Sequence, residues 1–285
     1  MERHGGNFIA YAVERWGSKL PSKGLCALVV GGREHEALLH LLAAMPEIRA
    51  ITILEDPEDT NELEERPPLP GATLEETSWE NLNRFGKFHL AVADGSLSRR
   101  PDLEECLDSL TMALVQEGLL VVRDYAGPNY YQFDDTEMRL VNGLLGLLPE
   151  QRRREVAGKI RTDQEPPPLD WLLANDPASA CKAEDLRQAI AARFSLYENI
   201  ELGGTLLMPL MAGISHNFLD ESEECRTLLT ALWDAERTLI DAGMIKSDHF
   251  LAIAHNTKHK SGGGSSGGFI ELEGVPMDLG EKKKS

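Results

Sequence analysis

Apolar positions along the chain fall into two rhythms. Short continuous runs occur at CALVVGG (26–32), AITILED (50–56), FHLAVAD (88–94) and GLLVVRDY (118–125), with a weaker one at ATLEETSW (72–79). Runs of this length bounded by glycine, acids or turn residues predict strands buried on both faces. Between them the apolar spacing changes to that of a helix. EHEALLHLLAAMP places Leu38, Leu41 and Leu42 on one face and closes at Pro46; Leu103, Leu107, Leu110 and Leu114 recur after Pro101, with Gly118 as the stop. Strands alternating with helices predict an α/β fold with a mostly parallel sheet covered on both faces.

The second half is less regular. Helices are expected near 135–148, 150–160 and 181–193, with the stiff EPPPLD stretch before the last. SLYENIEL (195–202) and HFLAIAHN (249–256) read as two more strands, and between them Cys225, Leu228, Leu229, Leu232, Leu239 and Ile240 mark a long helix over 221–242 ending at Gly243. The expected organisation is a helical segment at 1–20 and one domain over 21–257, with a helical cover formed by about 126–180 and 206–246. SGGGSSGG within 258–268 reads as a flexible linker, engineered or natural, and 269–285 as a terminal peptide or tail that contributes no core.

Several readings are excluded by what is missing. Net charge is −18, from 29 basic and 47 acidic residues, which argues against nucleic acid as a partner. Cys26, Cys106, Cys181 and Cys225 form no CxxC pair and no metal-ligand spacing, so reduced thiols in a cytoplasmic protein are expected. There is no run of about eighteen apolar residues and no signal-peptide pattern, hence no membrane expectation. His35 and His40 flank Glu36 but stand five apart, which turns their rings away from one another on a helix, so no metal is expected. GxGxxG is absent, and GISHN is not a GxSxG elbow.

Seven strand candidates with a late insertion resemble the Rossmann-like sheet of class I S-adenosylmethionine-dependent methyltransferases, in which the last strand is antiparallel. The stretch "FHLAVADGSLSRRPDLEECLDSLTMALVQEGLLVVRDYAGPNYYQF" is similar to what those enzymes carry across strands four and five, with VQEG in place of a KPGG-like turn. "RDYAGPNYYQF" resembles the E-Y-x-G-P-N-x-x-Q-W/F segment of one bacterial subgroup, and "GGTLLMPLMAGISHNF" and "LIDAGMIKSDHFLAIAHN" resemble its final third. The likeness spans roughly residues 20–257 and speaks to fold far more than to substrate.

The resemblance implies a cofactor, S-adenosylmethionine, and places its contacts. The family's glycine loop, roughly D/E-x-G-x-G-x-G, falls on Val29, Gly31, Gly32, Arg33 and His35, so the leading acid and two glycines are replaced. Side chains at 33 and 35 would crowd a cofactor; Glu34 or Glu36 could supply the missing charge. Glu55 stands where the family's acid binds both ribose hydroxyls, a task suited to a carboxylate that accepts two hydrogen bonds, with Asp56 as the alternative. The adenine acid falls near Thr77, one place from Glu76, while Asp94 and Gly95 face the methionine portion. For chemistry, Asp124 and Tyr125 end strand five, where α/β sheets bind ligands, and His216 in the insertion is a candidate base. Two functions follow. One is methyl transfer to a small molecule or biosynthetic intermediate; the other is a catalytically silent, partner-binding protein of the same fold, acting through the cover or the terminal peptide.

Overall fold

The computed structural model describes residues 7–31, 36–55, 72–84 and 87–257. Gly32, Arg33, Glu34, His35 and Asp56, together with the linker and tail at 258–285, lie outside these. The chain starts with α1 (Phe8–Trp16), whose first turn is closed by the Asn7 carboxamide oxygen accepting from the N–H groups of Ile9 and Ala10. β1 (Leu25–Val30), α2 (Glu36–Ala43), β2 (Ile48–Glu55), β3 (Thr73–Ser78), β4 (Phe88–Asp94), α3 (Leu103–Ala113) and β5 (Leu114–Tyr125) follow. The cover segment carries α4 (Asp135–Leu147) and α5 (Leu169–Asn175). Then come α6 (Ala183–Arg193), β6 (Ser195–Gly203), α7 (Leu207–Met211), α8 (Glu223–Asp241) and β7 (His249–His255).

The strands make one seven-stranded sheet in the order β3-β2-β1-β4-β5-β7-β6. All neighbours from β3 to β5 are parallel, and β7 runs antiparallel to both β5 and β6. This is the Rossmann-like seven-stranded arrangement that the sequence predicts. Side chains alternate between faces along each strand. Leu28, Val30, Ala91, Ala93, Leu120 and Val122 meet α3 and α6 on one face. Ala27, Val29, Val92, Val121, Leu251 and Ile253 meet α1 and α2 on the other. Such strands have no polar face, which is why their sequences read as unbroken apolar runs.

The cover has its own apolar centre, in which Met138, Val141 and Leu145 of α4 pack with Leu210 of α7 and Cys225 and Leu232 of α8. α4 begins with a capping box between Asp134 and Glu137. All four cysteines are free thiols. Among the described residues no helix is long and apolar enough to cross a membrane.

Three expectations need correction. Residues 150–160 do not form a helix: a short 3-10 turn at Glu150–Arg153 leads into a tight reversal bridged by Arg154 and Ile160, with Gly158 at φ 87°. α3 ends at Ala113 rather than at Gly118, because β5 already starts at Leu114. The turn at Val115–Gly118 is instead an irregularity within β5, with Glu117 held at φ 61°. α5 and α7 were not expected; each is shorter than the apolar period needs to be recognised.

Candidate functional site

Parallel strands that end together leave a crevice where the order reverses, here between the carboxyl ends of β1 and β4. Gly31 leaves β1 with φ 97°, a conformation costly for any residue with a Cβ, and its N–H donates to the Leu54 carbonyl at 3.3 Å. Ser96 Oγ donates to the Val30 carbonyl at 2.8 Å, tying the loop after β4 to the end of β1. Gly95, at φ 67°, faces open space on the side where a Cβ would be. Glu55 ends β2 opposite Ser78 of β3. Glu76 lies two residues back from the end of β3, on its exposed side.

Asp94 is engaged. Its two oxygens accept from Nε and Nη2 of Arg123 at 2.8 and 2.5 Å, and the guanidinium lies 4.5 Å from the Phe8 ring. In the fold this acid is thus paired across to the neighbouring strand.

Asp124 is also fully occupied. It is buried, and its carboxylate accepts from the backbone N–H groups of Leu97 at 2.9 Å, Ser98 at 3.2 Å and Tyr125 at 2.7 Å. Burial raises its pKa while those donors oppose the rise. Its carboxylate caps the turn after β4. His216 stands exposed on the Ser215–Phe218 turn of the cover, next to Asn217, which bonds to Arg154.

Tyr125 and the GPN segment after it explain one another. The Tyr125 hydroxyl donates to the Pro128 carbonyl at 3.1 Å. A Cβ on Gly127 would lie 2.4 Å from Asp248 Cγ and 2.6 Å from the Tyr125 hydroxyl, so only glycine fits. Asn129 exchanges bonds with Glu184: its N–H donates to the Glu184 carboxylate at 3.0 Å, and its side-chain oxygen accepts from the Glu184 N–H at 3.2 Å. Gln132 Nε2 donates to the carbonyls of Tyr130 and Pro167. The motif is thus a brace joining β5, α6 and the cover. Tyr130 and Tyr131 inside it hold φ values of 56° and 58°, a conformation maintained only where the surroundings enforce it.

The sequence reading missed the polar groups behind this brace. Because β7 is antiparallel, its first residues lie beside the last of β5: Tyr125 pairs with His249 and Asp124 with Phe250. Asp248 is 3% exposed, and its Oδ2 has no hydrogen-bond partner. Burial, with Glu137 and Glu236 nearby, pushes its carboxyl up to about 7, against Arg187 and Thr205. His249 Nδ1 is likewise buried without a partner and sits against Gly204, where a Cβ would come within 2.3 Å. Burial lowers the His249 pKa, which keeps the ring neutral. The Tyr125 ring is 4.9 Å from that of Tyr131 and 5.3 Å from that of His249. The antiparallel register, already implied by the expected last strand, was the signal that could have located these residues.

Glu236 supplies the joint's firmest link. This α8 carboxylate is 1% exposed and accepts from the N–H groups of Gly204 at 2.9 Å, Leu206 at 2.7 Å and Leu207 at 3.0 Å. Elsewhere, a surface hollow runs along α8 by Arg226, Thr230 and Asp234. It is an open groove on a single helix. No group of three or more metal-ligating side chains converges among the described residues.

No protein-family model matches the chain, and no curated protein matches it. Solved structures similar to it include the cyclopropane synthase MmaA2 from Mycobacterium tuberculosis, at 13% identity over 87% of this chain and 83% of that one, TM-score 0.47. The cyclase SpnF is similar at 13% identity over 87% and 80%, TM-score 0.44. The N-methyltransferase NodS from Bradyrhizobium japonicum is similar at 12% identity over 90% and 96%, TM-score 0.40. With these scores below 0.5, the fold assignment stands on the strand order and register.

Proposed function

We propose that the chain transfers a methyl group from S-adenosylmethionine to a small-molecule acceptor or biosynthetic intermediate. The observation that carries this reading is the sheet order with its antiparallel β7, together with a glycine at φ 97° where β1 opens into the crevice. The residues present fit such a cofactor: backbone at Gly31 and Gly95 permits close approach, and Glu55 ends the adjacent strand, where the resemblance puts the ribose acid. When bound, the sulfonium supplies an activated methyl group. The chain's own work is then to hold the acceptor in line and exclude water, which needs positioning more than proton transfer. Asp124 and the GPN brace serve as positioning groups that fix the walls of the crevice.

The second reading is a silent methyltransferase-fold protein that binds a partner through the cover or the terminal peptide. Its support is that Asp94 is spent on Arg123 and Asp124 on backbone N–H groups. Titration calorimetry with S-adenosylmethionine and its demethylated product separates the two. Saturable binding is expected, weakened by about 1–3 kcal/mol in Glu55→Ala, the scale of a lost charged hydrogen bond. No heat at millimolar ligand would reject the enzyme reading, and unchanged affinity in the variant would reject the role of Glu55.

A further inference from the structure

Many cations on the described surface have an acid beside them: Arg99 is paired with Asp176, Arg123 with Asp94, Arg187 with Glu201 and Arg193 with Asp108. The hairpin at 150–161 departs from this. It carries Arg152, Arg153, Arg154, Lys159 and Arg161 in a chain of net charge −18. Arg152 is spent on Asp220 and Arg161 on Glu155. Arg154 meets only the exposed Glu150, at 3.9 Å, while Arg153 and Lys159 have no acid partner among the described residues, and the Arg153 Nε is buried without an acceptor. The hairpin is held firmly. Backbone bonds from Glu155 to Lys159 and from Arg161 to Arg153 fix the reversal, and Asn217 Nδ2 donates to the Arg154 carbonyl at 2.7 Å, seating it against the Ser215–Phe218 turn. Apolar side chains accompany the cations. Val156 at the tip is 85% exposed, and Leu219 just past that turn and Leu147 just ahead of the hairpin are each 80% exposed, more than any other large apolar side chain described. Cations interleaved with bare apolar groups make a surface for a partner that is itself both acidic and apolar.

We propose that residues 269–281 of the same chain, FIELEGVPMDLGE, dock on this hairpin. The segment interleaves apolar residues, from Phe269 to Leu279, with Glu271, Glu273, Asp278 and Glu281, and so offers both halves of the complement. Tethering favours this occupant over a foreign acidic protein. A chain of net charge −18 repels a free anionic partner at a distance, whereas a tethered segment is already present at about millimolar effective concentration. The reach suffices. Glu271 and Glu281 lie about 14 and 24 residues beyond Thr257, and coils of those lengths span about 19–29 Å root-mean-square. The return along β7 toward the cover takes about 20 Å of that, and full extension of the chain covers far more. The acids of the segment meet Arg153, Arg154 and Lys159, and its apolar groups meet Val156 and Leu219. The inference does not depend on methyl transfer; it pairs the cover with the terminal peptide.

The test uses the full chain, prepared as an equal mixture of unlabelled and nitrogen-15-labelled protein, and a carbodiimide that joins an amine to a carboxylate without a spacer. Mass spectrometry should find Lys159 linked to Glu271, Glu273 or Asp278 within a single isotope label, at several times the yield for Lys23. Lys23 precedes β1 at the end of the sheet where β7 finishes, so an undirected tether would favour it instead. Hydrogen exchange gives a second readout that needs no reagent. Reversing the segment's charge with Glu271→Lys, Glu273→Lys and Asp278→Lys together leaves every described residue intact, and should speed exchange at the Glu155, Gly158 and Arg161 amides by about threefold or more. Lys159 links no more frequent than those of Lys23 would overturn the proposal. So would hairpin amides that exchange equally fast in the variant. Links confined to pairs of mixed label would overturn it in favour of a contact between copies.

Discussion

Replacing Glu236 with alanine should do more damage than any other single truncation on the cover. The carboxylate links α8 to the β6–α7 turn through three backbone N–H groups at 2.7–3.0 Å, and it is 1% exposed. Alanine leaves all three donors without an acceptor. The Leu206 N–H is fully buried and those of Gly204 and Leu207 partly so, and water can reach only the latter two. At about 1–3 kcal/mol for each orphaned group, discounted for the partly wetted pair, the loss comes to about 3–5 kcal/mol. Glu236→Gln should cost less, because its oxygen still serves two donors while its amide nitrogen opposes the third. Urea unfolding gives the totals, and hydrogen exchange at Leu206 gives the local effect. The cover's own apolar centre does not depend on this side chain, so exchange should rise at 204–212 before it rises in β4 or β5. A loss below about 1 kcal/mol for the alanine variant would refute the reasoning, since it would mean the three donors find other acceptors.

Further outcomes follow from other residues. Asp248 lies near Tyr125 of β5, Glu137 of α4, Glu236 of α8, Arg187 of α6 and Thr205. Its folded pKa is raised to about 7, so its protonated form favours the fold; that contribution is complete in acid and is lost as pH rises through about 7. Asp248→Asn should therefore gain stability relative to the original between pH 5 and pH 8, by about 1–3 kcal/mol, and urea midpoints that move in parallel across that range would contradict this. Glu117, at φ 61°, holds Lys19 at 2.8 Å and the His255 ring at 2.9 Å, beneath a stack in which Tyr197 lies between Trp16 and His255. Glu117→Gly should be more stable than Glu117→Ala by about 1 kcal/mol, because both lose the carboxylate's contacts to Lys19 and His255 and only alanine retains the left-handed strain; equal denaturation midpoints would show the backbone is not strained there.

The sheet was legible because its central strands are buried on both faces, so that CALVVGG and FHLAVAD are almost wholly apolar, with His89, near the start of β4, taking the Cys26 N–H. The cover was less so. QRRREVAGKI has helical composition, yet Gly158 at φ 87° and the Arg154–Ile160 bridge turn it back on itself. At the site, several residues that the sequence singles out for chemistry have hydrogen-bond partners within the fold. Asp94 and Asp124 look available as letters; the partners that occupy them come from another strand and from a turn about 26 residues away in sequence. Asp248 and His249 escaped notice because nothing in KSDHF marks them, and only the antiparallel register brings them beside Tyr125.

The most direct test of the central claim is a crystal structure of the chain soaked with the demethylated product of S-adenosylmethionine. The account predicts the nucleoside between the ends of β1 and β4, its ribose at Glu55, with Arg33 and His35 turned away from it. A crevice filled by those two side chains, with no nucleoside bound at millimolar soak, would contradict it.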